Sequence, residues 1–280
     1  MNMDDHSLAD DCFLLLGNPV SHSLSPLIHN AALQYAKIPN TYDTLQCGAS
    51  ELEPIMKRLS ALNLGGNVTL PYKELAARIV DQSSEAVLKT GACNTFWTRD
   101  GKIIGDNTDV EGFRRACKMF MGTSPKGLKV LVLGAGGVVR AVLMSLLRSG
   151  VGKIVMLNRS LDRARTVASH FDDERINVVM SSRNIRDYDF DLVVNGTSLG
   201  LSAKDAIPFD LDLLTKRSKV MDLVYRRGDT KFVRDAKARG LSAVDGTEML
   251  LQQAAVSFEL WWDKAAPVDI MRRTLKNVAS

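Results

Sequence analysis

Short, continuously apolar runs alternate along the chain with longer stretches whose apolar residues recur at helical spacing. Residues 12–17 (CFLLLG) read as a buried strand. Ser25 and Pro26 start a helix to residue 37, with Ser25 as N-cap and Pro26 at the first helical position. Residues 41–47 form a second strand, 51–62 a second helix and 66–70 a third strand, after which Pro71 opens the next helix. Residues 95–98 and 102–104 flank Arg99-Asp100-Gly101, a hairpin turn signal, and a helix follows over 109–120. Residues 122–127 (GTSPKG) interrupt the pattern, which then restarts. A strand over 128–133 leads through Gly134-Ala135-Gly136-Gly137 into a helix to residue 147. A strand over 153–157, a helix over 160–171, strands at 191–195 and 219–223, and helices at 248–262 and 268–277 complete the chain. This alternation predicts an α/β protein with mostly parallel sheets. The last two helices precede no strand, so they are expected to pack back on the first domain.

Composition narrows the classes. A chain of 280 residues suggests one or two domains and buries a core without disulfides or metals. With 45% hydrophobic and 24% charged residues it is neither disordered nor fibrous. The net charge of +4 is too small, and the basic residues too dispersed, to imply nucleic acid. No apolar run is long enough to cross a bilayer, and MNMDDHSLAD lacks the basic and apolar regions of a signal peptide. Cys12, Cys47, Cys93 and Cys117 are far apart, with no histidine cluster beside them. The expectation is a cytoplasmic enzyme without a metal, acting on a small molecule as a monomer or homodimer.

The glycine-rich turn carries the first chemistry. Strand, LGAGG turn and helix stand in the order a dinucleotide site needs. Gly134 permits the tight turn, Gly136 lets the backbone approach a pyrophosphate, and the helix N-terminus offers N–H groups to it. A simple strand-to-helix turn is the plainer alternative. Val139 stands at the third glycine position, where its bulk is expected to push helix and strand apart. The next strand ends in Asn158-Arg159-Ser160, with Arg163 one turn on and no carboxylate at the tip. An NAD site puts Asp or Glu there, whereas arginines suit a 2′-phosphate, so NADP(H) is favoured; solvated charges at a helix start are the alternative. Asp162 lies inside the helix, a poorer place for a ribose ligand.

Four further segments place turn glycines and polar residues at strand ends: GNPVSHSLSP (17–26), NVTLPYK (67–73), GACNT (91–95) and GDNTD (105–109). Ser23 and Ser25 suit a carboxylate, or merely cap a helix. Lys73 falls in a first helical turn, where the dipole disfavours a cation; a solvated lysine is the ordinary alternative. Asp109 fits an N-cap, and Thr69 and Asn94 fit strand and turn. Together they make a set of groups for a polyhydroxylated acid.

From Gly17 to Pro267 these segments, with GAGGVVRA, NRS, NGTSLG and DGTEMLLQQAA, resemble the shikimate/quinate dehydrogenase family in order and spacing. The resemblance implies an α/β fold with an N-terminal substrate domain (1–108, rejoined by 246–280) and a C-terminal NADP-binding Rossmann domain (109–245). It implies reversible, NADPH-dependent reduction of 3-dehydroshikimate to shikimate. Lys73 and Asp109 would be the catalytic pair. Ser23 and Ser25, helped by Tyr225, would bind the substrate carboxylate, and Thr69, Asn94 and Gln253 the ring hydroxyls. Gly134, Ala135, Gly136, Gly137 and Val138 would carry the pyrophosphate, and Asn158, Arg159, Ser160 and Arg163 the 2′-phosphate. Residues 195–198, Thr197 among them, with Leu223 and Gly246, would lie along the nicotinamide end. The chain departs from the family's pattern at Val138-Val139, at Val110 and at Glu248, none a predicted catalytic group. The rival readings are a quinate/shikimate enzyme with broader substrate or NAD use, and a non-catalytic NADP-binding paralogue, which would be expected to lack Lys73 or Asp109.

Overall fold

The computed structural model describes residues 11–185, 189–202 and 204–279; the polar N-terminal stretch read above for targeting lies outside them. The chain divides into two compact units, one reaching Thr108 and including Ala254–Asn277, the other Asp109–Gln253.

The first unit carries β1 (Cys12–Gly17), α1 (Ser25–Ala36), β2 (Thr41–Gln46), α2 (Ala49–Ala61), β3 (Gly66–Val68), α3 (Lys73–Ile79), β4 (Gln82–Ser83), α4 (Glu85–Thr90), β5 (Thr95–Arg99) and β6 (Lys102–Asp106). Its sheet runs β2-β1-β3-β5-β6-β4. The pairs of β1 with β2 and β3 are parallel, and β5 is antiparallel to both its neighbours. The β5–β6 hairpin turns on Asp100 and Gly101, both at positive φ, as a two-residue turn requires.

The second unit carries α5 (Asp109–Met121), β7 (Lys129–Leu133), α6 (Gly137–Arg148), β8 (Lys153–Leu157), α7 (Leu161–Phe171), β9 (Ile176–Val179), β10 (Leu192–Asn195), β11 (Lys219–Asp222), α8 (Lys231–Ala238) and β12 (Ser242–Val244). Its wholly parallel sheet, β12-β11-β10-β7-β8-β9, is the doubly wound order of a dinucleotide-binding domain. Strand order reverses between β7 and β10, the crevice where such folds take ligands. Helices cover both faces. Val130 and Val132 pack with Val142, Leu143 and Leu146 of α6, while Leu131 and Leu133 pack with Phe232 and Val233 of α8. Burial on both faces is why these strands read as unbroken apolar runs.

α9 (Thr247–Trp262) and α10 (Val268–Ala279) end the chain. In the first unit Trp261 and Trp262 each lie 4.9 Å from the Phe13 ring, and the Trp261 indole N–H donates to Phe96 O. The return falls at Ala254, later than the expected 246. Met249 belongs to the second unit's core, and Gly112 of α5 abuts Gln253 so closely that a Cβ there would lie 2.7 Å from it.

Two local expectations are corrected, and five short elements went unread. Ser25 is the first residue of α1 and does not cap it; Leu24 holds the N-cap position, and the Ser25 N–H donates to Ser23 Oγ at 3.2 Å. Pro71 does not open α3, which starts at Lys73 after a cis Leu70-Pro71 bond. β4, α4, β9, α8 and β12 carry too few apolar residues, or too short a run, to stand out in the sequence.

Candidate active site

In the first unit the predicted substrate residues gather beyond the carboxyl ends of β1 and β3. The two ends meet closely: a Cβ on Gly17 would lie 2.5 Å from Thr69 Cγ2, and the Asn18 N–H donates to Leu70 O. Ser23 and Ser25 follow β1 directly, and Thr69 follows β3. Lys73 stands at the start of α3, where its carbonyl accepts from the Cys93 N–H beside Asn94. Burial pushes the Cys93 thiol up to about 12, so it is an inert neighbour of the lysine.

Asn94 is held in one orientation. Its Oδ1 accepts from the Thr108 N–H (2.8 Å) and the Thr95 hydroxyl (2.9 Å), and its Nδ2 donates to Thr108 Oγ1 (3.0 Å). Asn67, a residue the motif contained but the sequence reading left without a role, completes the cluster. It accepts from the Tyr42 hydroxyl and donates to Asn94 O, Thr95 Oγ1 and Ser257 Oγ. A polar residue inside a strand buried along its whole length was the signal for it.

In the second unit Asp109 begins α5, almost fully buried. The predicted partners Tyr225 and Gln253 belong to this unit too. Burial first, then the Asp109 charge, pushes the Tyr225 hydroxyl above its ordinary range. Gln253 lies on α9 against α5, its side-chain amide donating to Leu250 O.

The glycine turn after β7 has the form a pyrophosphate needs. Gly134 has φ +104, and a Cβ on it would crowd Gly196 and Thr197 at 3.1 Å. Gly136 caps α6, and a Cβ on Gly136 or Gly137 would meet nothing within 4 Å. That open space lies over the first turn of α6, where unpaired N–H groups attract phosphate. The residues therefore fit a dinucleotide. Val139 does not push helix and strand apart as expected. It is fully buried, and its Cγ2 occupies the space a Cβ on Gly196 would need, 2.5 Å away. The room for the valine comes from the missing side chain of Gly196 in the facing loop.

At the tip of β8 the Ser160 hydroxyl caps α7 by accepting from the Arg163 N–H, and Asn158 donates to Ser160 O. Arg163 Nε donates to Ala135 O, which ties the tip to the glycine turn, and Arg159 is exposed beside it. On the other side of the crevice Thr197 donates its N–H and hydroxyl to Asn195 Oδ1, and Gly246 sits so close to Leu223 that a Cβ would be 2.2 Å from its carbonyl oxygen. Among the described residues there is no group of three or more His, Cys, Asp or Glu that could hold a metal, and no helix long and apolar enough to cross a membrane.

Profiles of known families match along the chain: the shikimate dehydrogenase substrate binding domain over residues 15–96, shikimate/quinate 5-dehydrogenase over 116–200, and the shikimate 5′-dehydrogenase C-terminal domain over 246–276. A shikimate dehydrogenase (NADP⁺) of Desulforamulus reducens is 38% identical across 95% of this chain and 94% of its own. The crystal structure of shikimate dehydrogenase from Aquifex aeolicus superposes with TM-score 0.88 at 34% identity, covering 95% of this chain and 97% of that one. Shikimate 5-dehydrogenase from Thermus thermophilus, solved in complex with NADP(H) and shikimate, does so with TM-score 0.86 at 34% identity, covering 96% and 99%.

Proposed function

The chain belongs to the shikimate dehydrogenase family, and from that premise we infer that it catalyses the reversible, NADPH-dependent reduction of 3-dehydroshikimate to shikimate. The observation that carries this reading is the crevice at the strand-order reversal. There an open glycine turn meets a β8 tip that bears arginines and no carboxylate. Bound NADPH supplies the hydride.

Reduction of a ketone builds negative charge on its oxygen, and a positioned cation stabilises that charge and supplies a proton. Lys73 is the group for this task, with Asp109 accepting from the neighbouring hydroxyl. Ser23 and Ser25 receive the carboxylate. The absence of a capping role for Ser25 supports that assignment, because its hydroxyl is not committed to the helix end. Tyr225 adds a third hydroxyl to the carboxylate, and Thr69, Asn94 and Gln253 bind ring hydroxyls; the network around Asn94 supports its part by presenting the amide in one orientation. Gly134 to Val138 carry the pyrophosphate, Arg159 and Arg163 the 2′-phosphate with Asn158 and Ser160, and Thr197, Leu223 and Gly246 border the nicotinamide. Four unpaired, buried cysteines support placing the enzyme in a reducing cytoplasm.

The test is an initial-rate assay with shikimate or quinate, each with NADP⁺ or NAD⁺. Turnover confined to shikimate with NADP⁺ is expected. Comparable rates with NAD⁺ would remove the arginines' role, and comparable rates with quinate would widen the substrate.

A further inference from the structure

Asp222 ends β11 with its side chain fully buried. A carboxylate taken out of water is costly unless its lone pairs are satisfied. Three neutral donors satisfy this one. Asn195 Nδ2 donates to Oδ1 at 2.7 Å and the Val224 N–H at 3.1 Å, while the Thr230 hydroxyl donates to Oδ2 at 2.6 Å. The donors come from three separate segments: the end of β10, the turn after β11 and the N-cap of α8.

This arrangement decides which way Asn195 faces. With its amide nitrogen on Asp222 and on Leu199 O, its Oδ1 points the other way and accepts the Thr197 N–H (3.0 Å) and hydroxyl (2.7 Å). Thr197 Oγ1 accepts from the Leu199 N–H, and Thr197 Cγ2 stands 3.1 Å from the place a Cβ on Gly134 would take. The buried carboxylate thus reaches, through one amide, a loop packed against the first glycine of the cofactor turn. On its other side it holds Val224, whose carbonyl accepts from the Gly246 N–H. An apolar side chain would fill the same volume and set none of this.

We propose that Asp222 is a positioning residue for the cofactor's nicotinamide end, acting through Asn195 to set the loop over 197–199. The proposal rests on the NADP(H) reading above. Asp222→Leu keeps a branched side chain and removes every acceptor. Asp222→Asn is the conservative partner, since its carbonyl can still face Asn195 with its NH₂ turned to Thr230 Oγ1. Two ligands are titrated: NADPH, and adenosine 2′,5′-bisphosphate, which presents only the adenine end. In Asp222→Leu, NADPH affinity is expected to fall at least tenfold while the bisphosphate stays within twofold. Amide exchange at Thr197 and Leu199 in the ligand-free protein should speed at least tenfold, and Asp222→Asn should recover both. Should the leucine variant fail to fold, Asn195→Leu removes the relay while leaving Val224 and Thr230 on Asp222, and must show the same split and the same exchange. Parallel loss of both ligands, or NADPH affinity within twofold of the unmodified enzyme, would overturn the proposal. An unmodified enzyme that binds neither ligand would overturn the NADP(H) reading itself, before any variant is made.

Discussion

Lys73 and Gly196 show two ways a single residue matters. A positioned acid–base group contributes about 10²- to 10⁴-fold in rate. Lys73→Ala is therefore expected to lose at least ~10²-fold in kcat, with little change in shikimate KM and in melting temperature. Unchanged kcat would remove the lysine from the chemistry. Gly196 is a packing residue. A Cβ there meets Val139 Cγ2 at 2.5 Å inside a filled core. Gly196→Ala should cost about 1–3 kcal/mol, the usual size of overpacking. Val139→Ala in the same chain should restore most of that, although alone it destabilises; additive losses in the urea midpoint would refute the exchange of bulk.

At the scale of elements, the N-terminus of α6 offers a clean separation of folding from binding. Gly136 has φ −86, and open space where a Cβ would stand. Gly136→Ala is expected to leave the melting temperature nearly unchanged and to weaken NADPH at least tenfold, because the methyl group fills the room a pyrophosphate would take. A variant that binds NADPH normally would put the phosphates elsewhere. The tip of β8 has two tasks. Arg163 ties it to Ala135 O as well as offering charge, so Arg163→Gln should weaken NADP⁺ more than Arg159→Gln, as read from the two KM values.

For the molecule as a whole, acid stability hinges on a histidine outside the chemistry. His29 is fully buried, stacked on Tyr42 at 4.3 Å, with neither ring nitrogen partnered among the described residues. Burial holds it neutral, its pKa lowered from 6.5 to about 3. The unfolded chain takes up a proton near pH 6.5 that the fold refuses until about pH 3. Stability is therefore lost as pH falls through that window, by up to about 1.4 kcal/mol per unit. Between pH 6.5 and 4.5 the loss from this group should approach ~2–3 kcal/mol. His29→Phe should flatten the slope of unfolding free energy against pH over that range. Equal slopes in the two proteins would assign acid sensitivity to other groups.

Much was legible from local rules. Apolar runs marked the long strands, because a strand covered on both faces is built mostly of apolar residues, and the glycine turn announced itself because φ +104 there strongly favours glycine. Asp100-Gly101 was legible for the same backbone reason. The motifs of the first unit also fall near one another in the fold, since strand ends on one side of a sheet converge. What stayed hidden depended on partners distant in sequence. Val139 looked like an obstruction until Gly196, 57 positions on, was seen beneath it. Ser25 looked like a cap until Ser23 accepted its N–H. Asn67 and Asp222 carried no signal of their roles along the chain, because their donors and acceptors come from other segments. Periodicity and backbone conformation are properties of neighbours along the chain and can be read there; the satisfaction of a buried polar group, and the room left for a side chain, exist only once the chain has folded.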